Sequence, residues 1–275
     1  GAGNQITNAT LFPPIMSLGA AGSDELAFEM GRITAIEGRA MGIQMTYAPV
    51  VDVNINPDNP IINTRSAGED PALVSRIGAA FIRGCQANGM IATAKHFPGH
   101  GDTAQDSHNL LPTIGADLER LQSVELVPFK AAIEAGVRAV MTAHLFVPAL
   151  DPTPNLPATL STAILTELLR GKLGFKGLIV TDAMEMAGIT SSYTSEEAAF
   201  RAIVAGVDMV LLPPEPARVA AYLASAVRDG RLPVRRLDES VRRILEAKAG
   251  LGLARIEGIK ALPESQQDLL LEVLQ

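Results

Sequence analysis

The chain has 275 residues, 47% of them apolar but only 4% aromatic, with no Trp and a formal net charge of −7. An aliphatic, alanine-rich interior of this size suits helices packed on a parallel sheet better than a β-sandwich. The acidic balance without a basic cluster argues against nucleic acid and anionic membrane surfaces as partners. The single cysteine, Cys85, excludes an intrachain disulfide and a cysteine-built metal site, and no apolar run reaches transmembrane length.

The chain opens without Met, on the loop-like stretch Gly1-Ala2-Gly3-Asn4-Gln5. A helix is predicted over 24–41, capped by Ser23 and stopped by Gly42, followed by a strand over 44–53. A second helix opens at Asp70-Pro71, with Asp as cap and Pro at the first helical position. Its apolar stripe is Leu73, Ile77, Ala80 and Phe81, Cys85 falls in the same pattern as a core filler, and Gly89 stops it. An apolar strand over 90–94 follows. A third helical stretch reaches Ala135, stops at Gly136 and leads into a strand over 137–142. Ser161 caps a helix over 162–170, and a strand over 177–182 comes next. A helix over 196–205 stops at Gly206 before a strand over 207–212. Helices over 215–228 and 238–249 close the pattern.

Strands that start about forty residues apart, each after a helix, are β/α units. Continuous rather than alternating apolar runs mark them as parallel and buried on both faces. Right-handed crossovers then allow a doubly wound sheet or a (β/α)8 TIM-type barrel. Polar residues follow every strand: Asp52, Lys95-His96, His144, Asp182 and, more weakly, Pro213-Pro214-Glu215. A barrel gathers chemistry from all its strand ends, whereas a doubly wound sheet concentrates it at one switch point, so the barrel is preferred. Five visible strands leave it short of its first three, in keeping with the start at Gly1. The expected organisation is a barrel over 1–253, incomplete at its N-terminal end, and a linker or the start of a following segment over 254–275.

The richest stretch is Lys95-His96-Phe97-Pro98-Gly99-His100-Gly101-Asp102-Thr103-Ala104-Gln105-Asp106-Ser107-His108, which holds three of the four histidines. Asp182 leaves a buried strand and is a candidate nucleophile or general base, or else an N-cap for a following helix. Asp106 and His108 are spaced to form a carboxylate–imidazole pair able to give and take a proton near neutrality. Otherwise His108 bonds only a loop carbonyl. Lys95 and His96 are adjacent, and both reach one ligand only if the strand end twists or bulges. Lys95 serves either a ligand oxygen or a neighbouring carboxylate. Arg65 either clamps a ligand oxygen or holds Asp52 or Asp182 in place. His100, Asp102 and His144 invite a metal reading, but the helical pair of zinc peptidases is missing and Gly99-His100-Gly101 reads as a loop stiffener.

These residues, with Leu111-Pro112 after the loop, resemble the signature of family 3 glycoside hydrolases, in its β-N-acetylglucosaminidase branch. Ala48-Pro49-Val50-Val51-Asp52-Val53-Asn54, Pro57-Asp58-Asn59-Pro60, Arg65-Ser66, Met141-Thr142-Ala143-His144 and Val180-Thr181-Asp182-Ala183-Met184 extend the resemblance over about residues 10–253. It implies a retaining exo-glycosidase that removes terminal β-linked N-acetylglucosamine from cell-wall or chitin-type oligosaccharides. Asp182 is then the nucleophile and His108 the acid/base, oriented by Asp106. Arg65, Lys95, His96, Asp52 and His144 bind the sugar. The upstream Asp-Gln-Glu-Gly-Gly-like motif of the family has no counterpart here.

The resemblance implies an amino-sugar oligosaccharide as substrate and requires no metal or organic cofactor. A phosphorylase of the same branch and a non-catalytic sugar-binding barrel stand as alternatives. Compartment and oligomeric state have no signal in the sequence.

Overall fold

The computed structural model describes residues 9–103 and 111–253. Three strands form one parallel sheet: β1 (Thr93–Phe97), β2 (Ala139–Thr142) and β3 (Leu178–Val180), in that order. Two further segments flank it in parallel. Residues 44–51 pair with the first strand through the bridges Met45–Ile91 and Val50–Lys95, and Met209 bridges Val180 on the far side. The expected continuous strand over 44–53 is thus present only as bridged stretches, because Pro49 has no N–H to give to a ladder. All five predicted strands run the same way, as the helix–glycine–strand period requires.

The helices between them follow their local signals. α1 (Ile15–Ala21) precedes α2 (Asp24–Ala40), whose cap Ser23 accepts from the Leu26 amide at 3.2 Å. α3 (Pro71–Ala87) is capped by Asp70, which accepts from the amides of Ala72 and Leu73. α3 buries Ile77, Phe81 and Cys85, so the cysteine is a core residue as expected.

The helix predicted to end at Ala135 is divided into α4 (Leu118–Ser123) and α5 (Val127–Glu134). Pro128 and the link between them interrupt the helical hydrogen bonding. The segment after Ser161 is a π-type helix, Ala163–Lys172, which outruns the predicted end by two residues.

A short α6 (Ala187–Thr190) precedes α7 (Ser195–Ala205), α8 (Pro216–Arg228) and α9 (Val234–Ala249). α9 starts four residues before the sequence suggested, directly after Pro233, which sits in extended conformation at its N-cap. One apolar core joins α2, α3 and α5 to the inner faces of all three strands. The consequence for function is positional. Asp52, Lys95, His144 and Asp182 all leave the C-terminal ends of parallel strand segments and come out on the same side.

Candidate active site

Asp52 lies at the end of the first segment and is fully buried. Its carboxylate accepts from the His96 amide at 3.1 and 3.2 Å, from His96 Nδ1 at 2.7 Å and from the His100 amide at 2.7 Å. Burial alone would raise this carboxyl. The His96 imidazole and its hydrogen bond, with His100 and its amide, outweigh burial and hold it below the usual range. Asp52 therefore has no open side toward solvent. It pulls the chain after β1 into a tight turn and orients His96.

That turn answers the problem of two adjacent side chains leaving one strand. The register of β1 against β2 shifts between Ala94 and Phe97, and the Lys95–His96 peptide is cis. Lys95 and His96 both face the site across the irregularity. Arg65 ends a single 3-10 turn, Asn63–Arg65. It donates to the Ile61 carbonyl at 3.0 Å, and its Nη2 lies 3.3 Å from His96 Nε2. A guanidinium can only donate, so Nε2 accepts and the His96 proton sits on Nδ1, toward Asp52. Arg65 makes no ion pair with Asp52 or Asp182 among the described residues; the residue it holds is His96.

Asp182 comes two residues after the end of β3. Thr181 pins the strand end, its amide donating to the Met209 carbonyl and its hydroxyl accepting from the Leu211 amide. Asp182 Oδ1 accepts from the Ala183 amide at 2.8 Å, and Oδ2 lies 4.0 Å from His96 Nε2. The next helix starts at Ala187, with Met186 at its cap position, so Asp182 is not an N-cap. The side chain keeps 23% of its surface exposed, against none for Asp52. Burial raises this carboxyl too, but His96, His144, the Ala183 amide and Lys95 together hold it below the usual range. It is an ionised, accessible carboxylate with one oxygen free of hydrogen bonds among the described residues.

Lys95 sits near Asp182 and Asp52 without closing a contact ion pair with either. Burial, then the Arg65 charge, push its ammonium down to about 8 against the pull of the two carboxylates. His144, two residues past β2, donates from Nε2 to the Ala183 carbonyl at 3.0 Å and meets the Thr159 hydroxyl through Nδ1 at 2.8 Å. It braces the turn that carries Asp182. His100 is buried with Nδ1 3.0 Å from the Thr103 hydroxyl, and burial pushes it down to about 4. It stiffens the loop as a neutral ring. No group of three or more metal-ligating side chains is found among the described residues.

Two positioning residues carried no role in the sequence analysis. Asn59 is buried and donates to the His100 carbonyl at 2.8 Å, while its carbonyl oxygen accepts from the amides of Ile61 and Ile62. Thr159 is the hydroxyl that meets His144. An asparagine between prolines was the only available signal for the first, and the second had none. Lys95 and Arg65 also border a cavity of about 490 Å³ lined by Phe12, Pro14, Tyr47 and Pro49. That falls within the ~300–1,000 Å³ of small-molecule sites. Asp106 and His108 lie outside the described residues.

Residues 1–247 match the glycosyl hydrolase family 3 N-terminal domain. A β-N-acetylglucosaminidase/β-glucosidase of Cellulomonas fimi is 38% identical over 263 residues, 93% of this chain and 47% of that protein. Among solved structures, a family 3 β-N-acetylglucosaminidase from Paenibacillus sp. str. FPU-7 superposes with a TM-score of 0.87 at 43% identity, over 98% of this chain and 53% of that one. The β-glucoside phosphorylase BglX superposes with a TM-score of 0.86 at 31% identity, over 97% and 51%. The chain thus spans about half the length of these relatives, and it belongs to glycosyl hydrolase family 3 through their N-terminal domain.

Proposed function

We propose that this chain carries the catalytic centre of a retaining exo-glycosidase that removes terminal β-linked N-acetylglucosamine from cell-wall or chitin-type oligosaccharides. The observation that carries it is Asp182: an ionised, partly exposed carboxylate among Lys95, His96 and His144. Most carboxylates this buried are saturated with donors; this one is held in place and left open. The proposal includes the (β/α)8 barrel as its setting, since five parallel segments deliver their polar ends to one side.

In the first step an Asp182 oxygen bonds to the anomeric carbon as the bond from that carbon to the leaving oxygen breaks. His108 gives its proton to the leaving oxygen, with Asp106 fixing the ring. In the second, His108 takes a proton from water, the water oxygen bonds to the anomeric carbon, and Asp182 is released. Two inversions retain the configuration. Lys95 donates to sugar hydroxyls as an ammonium. His96 meets the sugar with an imidazole held by Asp52 and Arg65, and Asp52 acts on the sugar through it. His144 braces Asp182 through Ala183. Low-lying carboxyls at Asp52 and Asp182 keep both ionised at neutral pH, as nucleophile and anchor require.

The test is release of N-acetylglucosamine from chitobiose and from a nitrophenyl β-N-acetylglucosaminide. Liberation of sugar with retained configuration is expected. Binding without turnover identifies a sugar-binding barrel instead. A second reading, a phosphorylase, is favoured by the likeness to BglX and by a histidine acid/base, which repels an anionic acceptor less than a carboxylate does. Formation of sugar 1-phosphate in phosphate buffer separates it from hydrolysis.

A further inference from the structure

The turn His96–His100 is flanked by two buried carboxyl groups in opposite conditions. On one side Asp52 accepts from two amides and one imidazole. On the other is Glu125, in the link between α4 and α5. It is 1% exposed, and neither side-chain oxygen has a hydrogen-bond partner among the described residues. It lies directly against the turn: a Cβ added at Gly99, whose φ is +131°, would fall 2.8 Å from Glu125 Cβ and 3.1 Å from Cγ. Only glycine fits there, both for space and for backbone. The neighbouring helix supports the same turn, since Phe129 of α5 stacks edge-on against Phe97 with ring centres 5.1 Å apart.

A buried carboxyl without a hydrogen bond demands an explanation, because an apolar side chain would fill the space at no desolvation cost. Among the described residues, few charged groups face Glu125. Arg120 of α4 brings Nε to 3.6 Å without a hydrogen bond, and its own side chain is 40% exposed. Asp102, on the loop, adds a like charge, while His100 is neutral above about 4. Burial, with the Asp102 charge, lifts the Glu125 carboxyl above the ordinary range against Arg120 and its own amide.

We propose that Glu125 is a positioning residue of the site, which seats the His96–His100 turn while protonated and displaces it on ionising. Asp52 is the fixed charged anchor and Glu125 the titrating one. When Glu125 loses its proton, no side-chain hydrogen bond among the described residues takes up the charge, Arg120 Nε stands 3.6 Å off, and the movable neighbour is the glycine-bearing turn that presents His96. The consequence for turnover rests on the glycosidase reading; the displacement itself does not.

The experiment compares wild type with Glu125→Gln, which keeps shape and removes the titration, and with Glu125→Ala, which removes the seat. It is run on the natural polypeptide that contains this chain. Three quantities are followed from about pH 5 to about pH 8: the backbone amide resonances of Gly99 and His100, the melting temperature, and kcat/KM on a nitrophenyl β-N-acetylglucosaminide. A raised folded-state carboxyl contributes stability below the ordinary carboxylate range and loses it as pH rises through the raised value. Glu125→Gln should therefore match wild type near pH 5 and gain on it in melting temperature as pH rises. Its Gly99 and His100 resonances should lack a pH-dependent step that wild type shows. Its kcat/KM relative to wild type should climb, by up to ~10-fold per unit above the raised value. Glu125→Ala should lose kcat/KM at every pH, and the glutamine variant should not.

Identical pH courses in wild type and Glu125→Gln overturn the proposal. If neither turns over any amino sugar, the glycosidase reading fails, and the resonances and melting temperatures still decide the role of Glu125.

Discussion

Asp208 and Asp182 lie at opposite ends of the parallel strands, each near several cations, and the two are treated in opposite ways. At the start of the fifth strand segment, Asp208 is closed off. Its oxygens accept from Arg170 at 2.6 Å, the Ile179 amide at 2.9 Å, the Ser240 hydroxyl at 2.7 Å and Arg243 at 2.9 Å, with Arg236 at 3.9 Å. At the opposite end Asp182 has one amide donor and is partly open. Arg170, Arg236 and Arg243 reach Asp208 from the Ala163–Lys172 helix and α9, so that cluster ties late helices to the sheet. Cations near Asp182 stop short of it. Buried charge with its donors complete holds a fold together; buried charge with a donor withheld does chemistry.

The sharpest way to break this comparison is to neutralise each carboxylate. Asp182→Asn should lower turnover by roughly 10⁴-fold or more, in the manner of nucleophile removal, with little change in melting temperature. Substantial remaining turnover, with deamidation back to Asp excluded, would remove Asp182 from the chemistry. His108→Ala tests the partner proposed for Asp182. It should slow cleavage of an unactivated disaccharide by about 10²–10⁴ and spare glycosyl-enzyme formation from a nitrophenyl glycoside. Azide should then speed release of the accumulated adduct. Equal losses on both substrates without azide rescue would leave His108 a binding or loop residue only.

Asp208→Ala should do the reverse. Removing one partner of a buried ion pair costs about 3–5 kcal/mol, read from denaturant midpoints, while kcat of the folded enzyme at low temperature should hold. An unchanged midpoint would deny the cluster its structural role. The smallest effect is expected from pH. With Lys95 pushed down to about 8, its ammonium is present below that pH and lost above it. In Glu125→Gln, whose profile carries no Glu125 titration, kcat/KM should therefore turn down near 8 and fall by ~10-fold per unit beyond. A profile flat to pH 10 would mean that Lys95 does not meet the sugar as a cation.

The parts of this contrast differ in how far the sequence disclosed them. Asp182, Lys95 and His144 were legible because each follows a continuous apolar run, and a strand end is a local property. The caps Ser23, Asp70 and Ser161 were legible for the same reason. Asp208 was not: it sits inside an apolar run, and its three arginines come from sequence positions up to 38 residues away. Asp52 was found, but its burial was hidden, because the turn that wraps it comes from residues 44 and 48 positions on. The strand through Pro49 and the helix broken at the α4–α5 link were drawn too regular, since periodicity reports where apolar residues recur and not where a backbone donor is missing. Glu125 gave no signal beyond a charge between Val124 and Leu126.

The most direct test of the central claim is to incubate the enzyme with a fluorinated N-acetylglucosaminyl donor whose adduct turns over slowly, and to map the label by peptide mass spectrometry. The account requires one sugar residue, esterified to the peptide that contains Asp182 and absent in Asp182→Asn. A label on any other carboxylate, or turnover of the donor with inversion and no adduct, would contradict it.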